Sequence, residues 1–160
     1  LIERGVRFVQ LFNGAYASGG RINWEGHSKL KEQYDIHGRI LDQPVAGLLR
    51  DLKQRGLLDD TLVIFATEFG RMPMSEQGTG RDHNPWGYSV WLAGAGVRGG
   101  ALCGGTDDNL LGVETDMVTG QPGPGRVIYP ENLNAGLLEL VGVDPSGQYP
   151  GIAPLRGFHA

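Results

Sequence analysis

Four side chains, in two short stretches of this sequence, stand out as candidate ligands for a divalent metal ion. "WEGH" (24–27) offers Glu25 and His27, and "ATEFGRMPMSEQGTGRDHNPW" (66–86) offers Glu68 and His83. Carboxylate oxygens and imidazole nitrogens together suit a divalent ion such as Zn, Mn, Mg or Ca. The second stretch also carries Arg71 and Arg81, whose planar guanidinium forks match two oxygens of a phosphate or sulfate ester. Asp82 precedes His83, where it can orient the imidazole or bind metal itself. Plainer readings stand beside each of these. Glu25 and His27 also read as solvated loop residues, Glu68 as a capping acid or an ion-pair partner of Arg71, and "GRDH" (80–83) as a turn in which Asp82 bonds its own backbone. His37, on the apolar side of a helix, and His159, near the end, read as structural.

The elements that must position these groups can be read from periodicity. "GVRFVQLFNG" (5–14) alternates and ends in glycine, as a strand entering a loop does, and 14–28 is a Gly-, Ser- and Asn-rich loop. Ile36, Ile40, Leu41, Val45, Leu48, Leu49 and Leu52 form a one-sided helical stripe, which "KQRG" closes with basic residues and a glycine. "TLVIFAT" (61–67) is apolar and β-branched nearly throughout, the pattern of a strand buried on both faces of a parallel sheet. "YSVWLAG" (88–94) reads as a further strand. The region 98–130 reads as Gly/Pro/Asp loop with a short hairpin, including a mobile loop at "VTGQPGPG" (118–125), and "PENLNAGLLELVGVD" (130–144) as a closing helix. Strand, helix and strand make a right-handed βαβ unit. The expected fold class is therefore α/β, a mostly parallel sheet flanked by helices in a single domain over 1–160. In such a sheet ligands sit at the carboxyl ends of strands, where Glu68 falls.

Composition narrows the function. A net charge of −4 on 160 residues is a poor basis for gripping nucleic acid, and no apolar run approaches the about 20 residues that cross a bilayer. Cys103 is the single cysteine, so an internal disulfide and a thiolate metal cluster are both excluded. Glycine supplies 27 residues, which signals many tight loops. "GAGVRGG" (94–100) follows a strand, but no amphipathic helix opens after it, so a Gly-rich turn is a better reading than a nucleotide-binding loop.

The run from "ILDQPVAGLLRDLKQRGLLDDTLVIFATEFGRMPMSEQGTGRDHNPWGYSVWLAGAGVRGG", with "LIERGVRFVQL" before it and "NLNAGLLELVGVD" after, resembles the DUF1501 family, a bacterial group abundant in planctomycetes. That family in turn resembles the alkaline phosphatase and sulfatase superfamily. The resemblance implies an alkaline phosphatase-like fold and a metal-dependent hydrolase of phosphate or sulfate esters, with a small-molecule or glycan ester as substrate. It places Glu68 where a metal-binding Asp stands, His83 at a later histidine ligand, and Glu25 with His27 at the first metal-binding pair. It also implies an exported, periplasmic location. Three departures matter. Glu25 stands for the more usual Asp, which lengthens the arm by one methylene. Phe69 replaces a ligating His. The strand with the superfamily's nucleophile has no counterpart, so the chain reads as the incomplete, C-terminal part of a larger protein. The rival reading is a non-catalytic domain that binds glycans or proteins.

Overall fold

The computed structural model describes residues 1–13, 24–76 and 78–160. The stretch 14–23, most of the loop expected over 14–28, lies outside the described residues. After a short 3-10 turn at Ile2–Arg4 come helix α1 (Leu30–Gln54), strands β1 (Leu62–Phe65), β2 (Gly70–Arg71), β3 (His83–Asn84), β4 (Trp91–Gly94), β5 (Glu114–Thr115) and β6 (Arg126–Val127), helix α2 (Pro130–Leu140) and a last 3-10 turn at Pro145–Gly147.

Both helices fall where the apolar stripe and the Pro–Glu start place them. Helix α1 carries Pro44 in its interior, on an exposed face, where the missing N–H leaves one backbone carbonyl without its intrahelical donor. At the start of α2, Asn132 does the capping. Its Oδ1 accepts from the Tyr129 N–H at 2.8 Å and its Nδ2 donates to the Ala153 carbonyl at 2.8 Å.

The strands correct the expected fold class. Among the described residues there is no mostly parallel, alkaline phosphatase-like sheet flanked by helices. There are three separate two-stranded antiparallel ladders, β1–β4, β2–β3 and β5–β6. The physical reason lies in the connection from β1 to β4. Parallel neighbours need a crossover of a dozen or more residues, usually a helix. The described residues of 66–90 hold no helix; they include the β2–β3 ladder, and the chain returns reversed, so Leu62 lies opposite Gly94 and Phe65 opposite Trp91. An apolar run fits either direction, and periodicity alone does not distinguish them. The Phe65 and Trp91 rings stack at 5.4 Å, nearly coplanar.

Residues 5–13, expected as a strand, join no ladder. Their side chains lie open, Phe8 at 80% and Phe12 at 87% exposure. Arg55 Nη1 lies 3.4 Å from Glu3, and Trp24 Nε1 donates to Asn13 Oδ1 at 2.7 Å, which ties down the two ends of the segment. The short hairpin expected within 98–130 is β5–β6. The turn before β6, expected to be mobile, is closed by Asp116, whose Oδ1 accepts from Val118 N, Thr119 N and Thr119 Oγ1.

Among the described residues the buried apolar side chains are few: Leu52, Ala135, Leu155 and Phe158. Three of these four join α2 to the C-terminal segment, each large side chain contributing about 1.5–3 kcal/mol by leaving water. Leu155 N donates to Asn132 O at 2.9 Å, Ala160 N to Gly96 O at 2.9 Å, and the His159 Nε2 lies 3.0 Å from Gly136 O. His37 is buried beside the Trp24 ring at 5.2 Å. An apolar cleft of ≈ 410 Å3 separates Leu41, Val45 and Leu49 of α1 from Phe65 and Trp91 of the β1–β4 ladder.

Candidate metal centre

Two backbone segments build the site, and each is shaped by a glycine. In the first, Gly26 takes φ +65°, a left-handed conformation that costs glycine little. Around that bend His27 Nδ1 lies 2.8 Å from Glu25 Oε2 and closer still to Oε1. In the second segment, Gly80 is buried against the first. A Cβ there would stand 2.1 Å from the backbone carbon and oxygen of His27, so only glycine permits this approach. The contact is sealed by backbone bonds: Arg81 N donates to Gly26 O at 2.8 Å, and Leu30 N to Thr79 O at 3.1 Å.

The β2–β3 ladder then aims His83. Arg71 lies opposite His83 and Gly70 opposite Asn84. His83 stacks on Phe69 at 3.9 Å and faces His27 at 4.5 Å between ring centroids. One ligand atom each from Glu25, His27 and His83 lies within 4.8 Å of the others. Glu25 and His83 are exposed and His27 half-buried.

The structure thus brings three of the four expected donors together. Glu68 is exposed just beyond β1 and is not among them. Asp82 Oδ2 accepts from the Glu76 N–H at 3.0 Å, while its own N–H and carbonyl bond Met74 O and Met72 N. Arg81 donates through Nη1 to Gly80 O at 2.7 Å. The Arg71 guanidinium makes three backbone hydrogen bonds: Nη1 donates to Arg81 O at 3.1 Å, and Nη2 to Trp24 O at 3.2 Å and Glu25 O at 2.5 Å.

Asn84 is a contributor that the sequence reading passed over. It is 1% exposed, its Nδ2 donates to Leu110 O at 3.1 Å and its Oδ1 accepts from Trp86 N at 3.0 Å. It fixes the residue after His83 to the 106–112 loop. The Asn-Pro pair at 84–85 was the available signal, since such pairs mark turn starts where the Asn bonds its own backbone.

Two imidazoles and a carboxylate fit a divalent ion, and the nitrogen donors favour Zn or Mn over Mg or Ca, which prefer all-oxygen shells. Three protein donors would leave further coordination positions of such an ion open, as catalytic rather than purely structural centres do. Among the described residues the chain combines two helices, three short antiparallel ladders and an open cluster of Glu25, His27 and His83. The chain matches the family described as "Protein of unknown function (DUF1501)" over residues 1–152, and it belongs to that family. No curated protein and no solved structure matches it. Among the described residues no helix is long and apolar enough to cross a membrane.

Proposed function

We propose that the chain binds a divalent transition metal through Glu25, His27 and His83 and serves a metal-dependent hydrolase of phosphate or sulfate esters. The observation that carries this reading is the convergence of those three donors within 4.8 Å from segments more than fifty positions apart in the chain. The ester class is supported by the likeness of "GLLDDTLVIFATEFG" and "GRDH" to the alkaline phosphatase and sulfatase superfamily, and by the cationic groups beside the donors. When bound, a divalent ion neutralises ester oxygens and lowers the pKa of water or another nucleophile. The remaining roles fall to the chain. Arg81 makes one hydrogen bond among the described residues, through Nη1, which leaves donors of its fork to face two ester oxygens. Asp82 holds the turn that precedes His83, so its carboxylate fixes the ligand's backbone. Phe69 walls one face of His83 and limits its ring to few orientations.

The test is metal analysis after equilibrium dialysis against Zn2+ or Mn2+, followed by assays with aryl phosphates and aryl sulfates. About one ion per chain is expected, falling to near zero in the His27→Ala/His83→Ala variant, because losing two of three donors leaves the ion under-coordinated. Equal metal in both proteins would reject the site. Metal binding without turnover of either ester class would instead favour the non-catalytic glycan- or protein-binding reading.

A further inference from the structure

We infer that Arg71 is a positioning residue for the Glu25, His27 and His83 donors, acting through the two backbone segments that carry them rather than on a substrate. The inference rests on the metal-binding reading above and adds the device that assembles the site. Among the described residues, Arg71 reaches both segments with charged hydrogen bonds. On the first segment its Nη2 takes the carbonyls of Trp24 and Glu25, at 3.2 and 2.5 Å. On the second its Nη1 takes the carbonyl of Arg81 at 3.1 Å, two residues before His83. Its own backbone lies opposite His83 in the β2–β3 ladder.

The chemistry requires arginine. Three carbonyls in different directions need a planar fork with several fixed N–H groups, whereas a lysine ammonium is a compact point donor. The surroundings are shaped to this arrangement. A Cβ on Gly26 would come within 3.1 Å of the Arg71 guanidinium carbon, so the glycine that turns Glu25 and His27 also makes room for the fork. Phe69, which stacks on His83, has its ring centroid 5.6 Å from the same guanidinium carbon, close enough for a cation–π contact. One residue thereby connects the two segments that carry the donors with Phe69, the ring beside His83. With both terminal nitrogens of its fork donating to backbone, Arg71 cannot offer that pair to an ester without giving up these bonds.

The experiment is a Co2+ titration of the whole chain, followed by the visible absorption of the bound ion, which reports both affinity and coordination. The proteins are the parent, Arg71→Met, Arg71→Lys and Glu25→Ala, each checked for fold by circular dichroism. Groups that orient metal ligands typically contribute 10–100-fold in affinity. Arg71→Met is therefore expected to weaken Co2+ binding about 10- to 100-fold and to alter the absorption bands, although no ligand has been removed. Arg71→Lys, which keeps the charge but not the fork, is expected to recover only part of the affinity, and it serves as the test should the Met variant not fold. Co2+ binding equal to the parent in both Arg71 variants, with Glu25→Ala impaired, would overturn the positioning role and leave the metal centre standing. A parent that binds no Co2+ would overturn the metal reading, and the inference with it. Inorganic phosphate supplies the last arm. At saturating Co2+, Arg71→Met should bind phosphate as the parent does, and a loss of phosphate binding there would assign Arg71 to the substrate instead.

Discussion

At the scale of single residues, the donors are reachable from sequence but the groups that seat them are not. Glu25, His27 and His83 are conspicuous by type, yet nothing in their spacing shows that Gly80 touches His27 or that Arg71 spans both segments. Those facts depend on the fold. The Gly80 contact gives a sharp expectation. A methyl group 2.1 Å from the His27 carbonyl must displace backbone, not a flexible side chain. Gly80→Ala is therefore expected to destabilise the protein by about 1–3 kcal/mol and to reduce metal binding, as read by thermal melts and Co2+ titration. Gly78, which has open space around its Cβ position but a φ of +74°, is a control for conformational strain alone; Gly78→Ala should spare the metal. A second expectation concerns Asn84. Asn84→Ala leaves the Leu110 carbonyl and the Trp86 N–H without their partner in a part-buried setting, at a cost of about 1 kcal/mol. Melting unchanged from the parent would show that water replaces both bonds.

At the scale of elements, helices were legible and sheet topology was not. The stripe from Ile36 to Leu52 and the Pro130–Glu131 start each mark a helix because the period of 3.6 is local information. The partner of "LVIF" is not local. Its apolar run suits a parallel or an antiparallel neighbour, and the absence of a helix between residues 66 and 90 decides for the latter. The same limit applies to residues 5–13, whose alternation is genuine but whose pairing is not encoded in that alternation. The C-terminal segment offers a test at this scale. Arg156 forms a bidentate pair with Glu139 of α2, at 2.7 Å for each bond. Hydrogen bonding from Arg156 holds the Glu139 carboxyl below its ordinary range. Asp116 is likewise lowered, by the Thr119 and Val118 donors that close its turn. A depressed carboxylate stabilises the fold fully above its unfolded pKa, and that contribution disappears as pH falls through the lower folded value. Melting temperature should therefore decline as pH drops below about 4, where free carboxylates protonate. Arg156→Met should flatten that decline while costing no more than about 1 kcal/mol at neutral pH, since the pair is partly exposed. An acid limb as steep in the variant as in the parent would place the sensitivity elsewhere.

At the scale of the whole molecule, surface area is the governing quantity. The chain exposes 11186 Å2, whereas a compact monomer of its mass, 17.2 kDa, exposes about 7800 Å2. Phe8, Phe12 and Leu11 stand in water, and the cleft beside α1 is lined by apolar side chains. Exposed apolar surface on this scale is expected to bind an apolar dye such as ANS and to promote association at raised concentration. Sedimentation of a lone monomer at high concentration, with no dye binding, would refute that expectation. Against so small a core, the placement of the donor cluster has a thermodynamic meaning of its own. An ion held by His27 and His83 would join two points of the chain that flank all of α1, β1 and β2, so it would bind only where the fold has brought them together. Because the assembled cluster exists only in the folded state, bound metal adds RT ln(1 + [M]/Kd) to stability, about 2.7 kcal/mol at a hundredfold excess over Kd. The melting temperature of the chain would then act as a gauge of free metal concentration, and His83→Ala would uncouple the two.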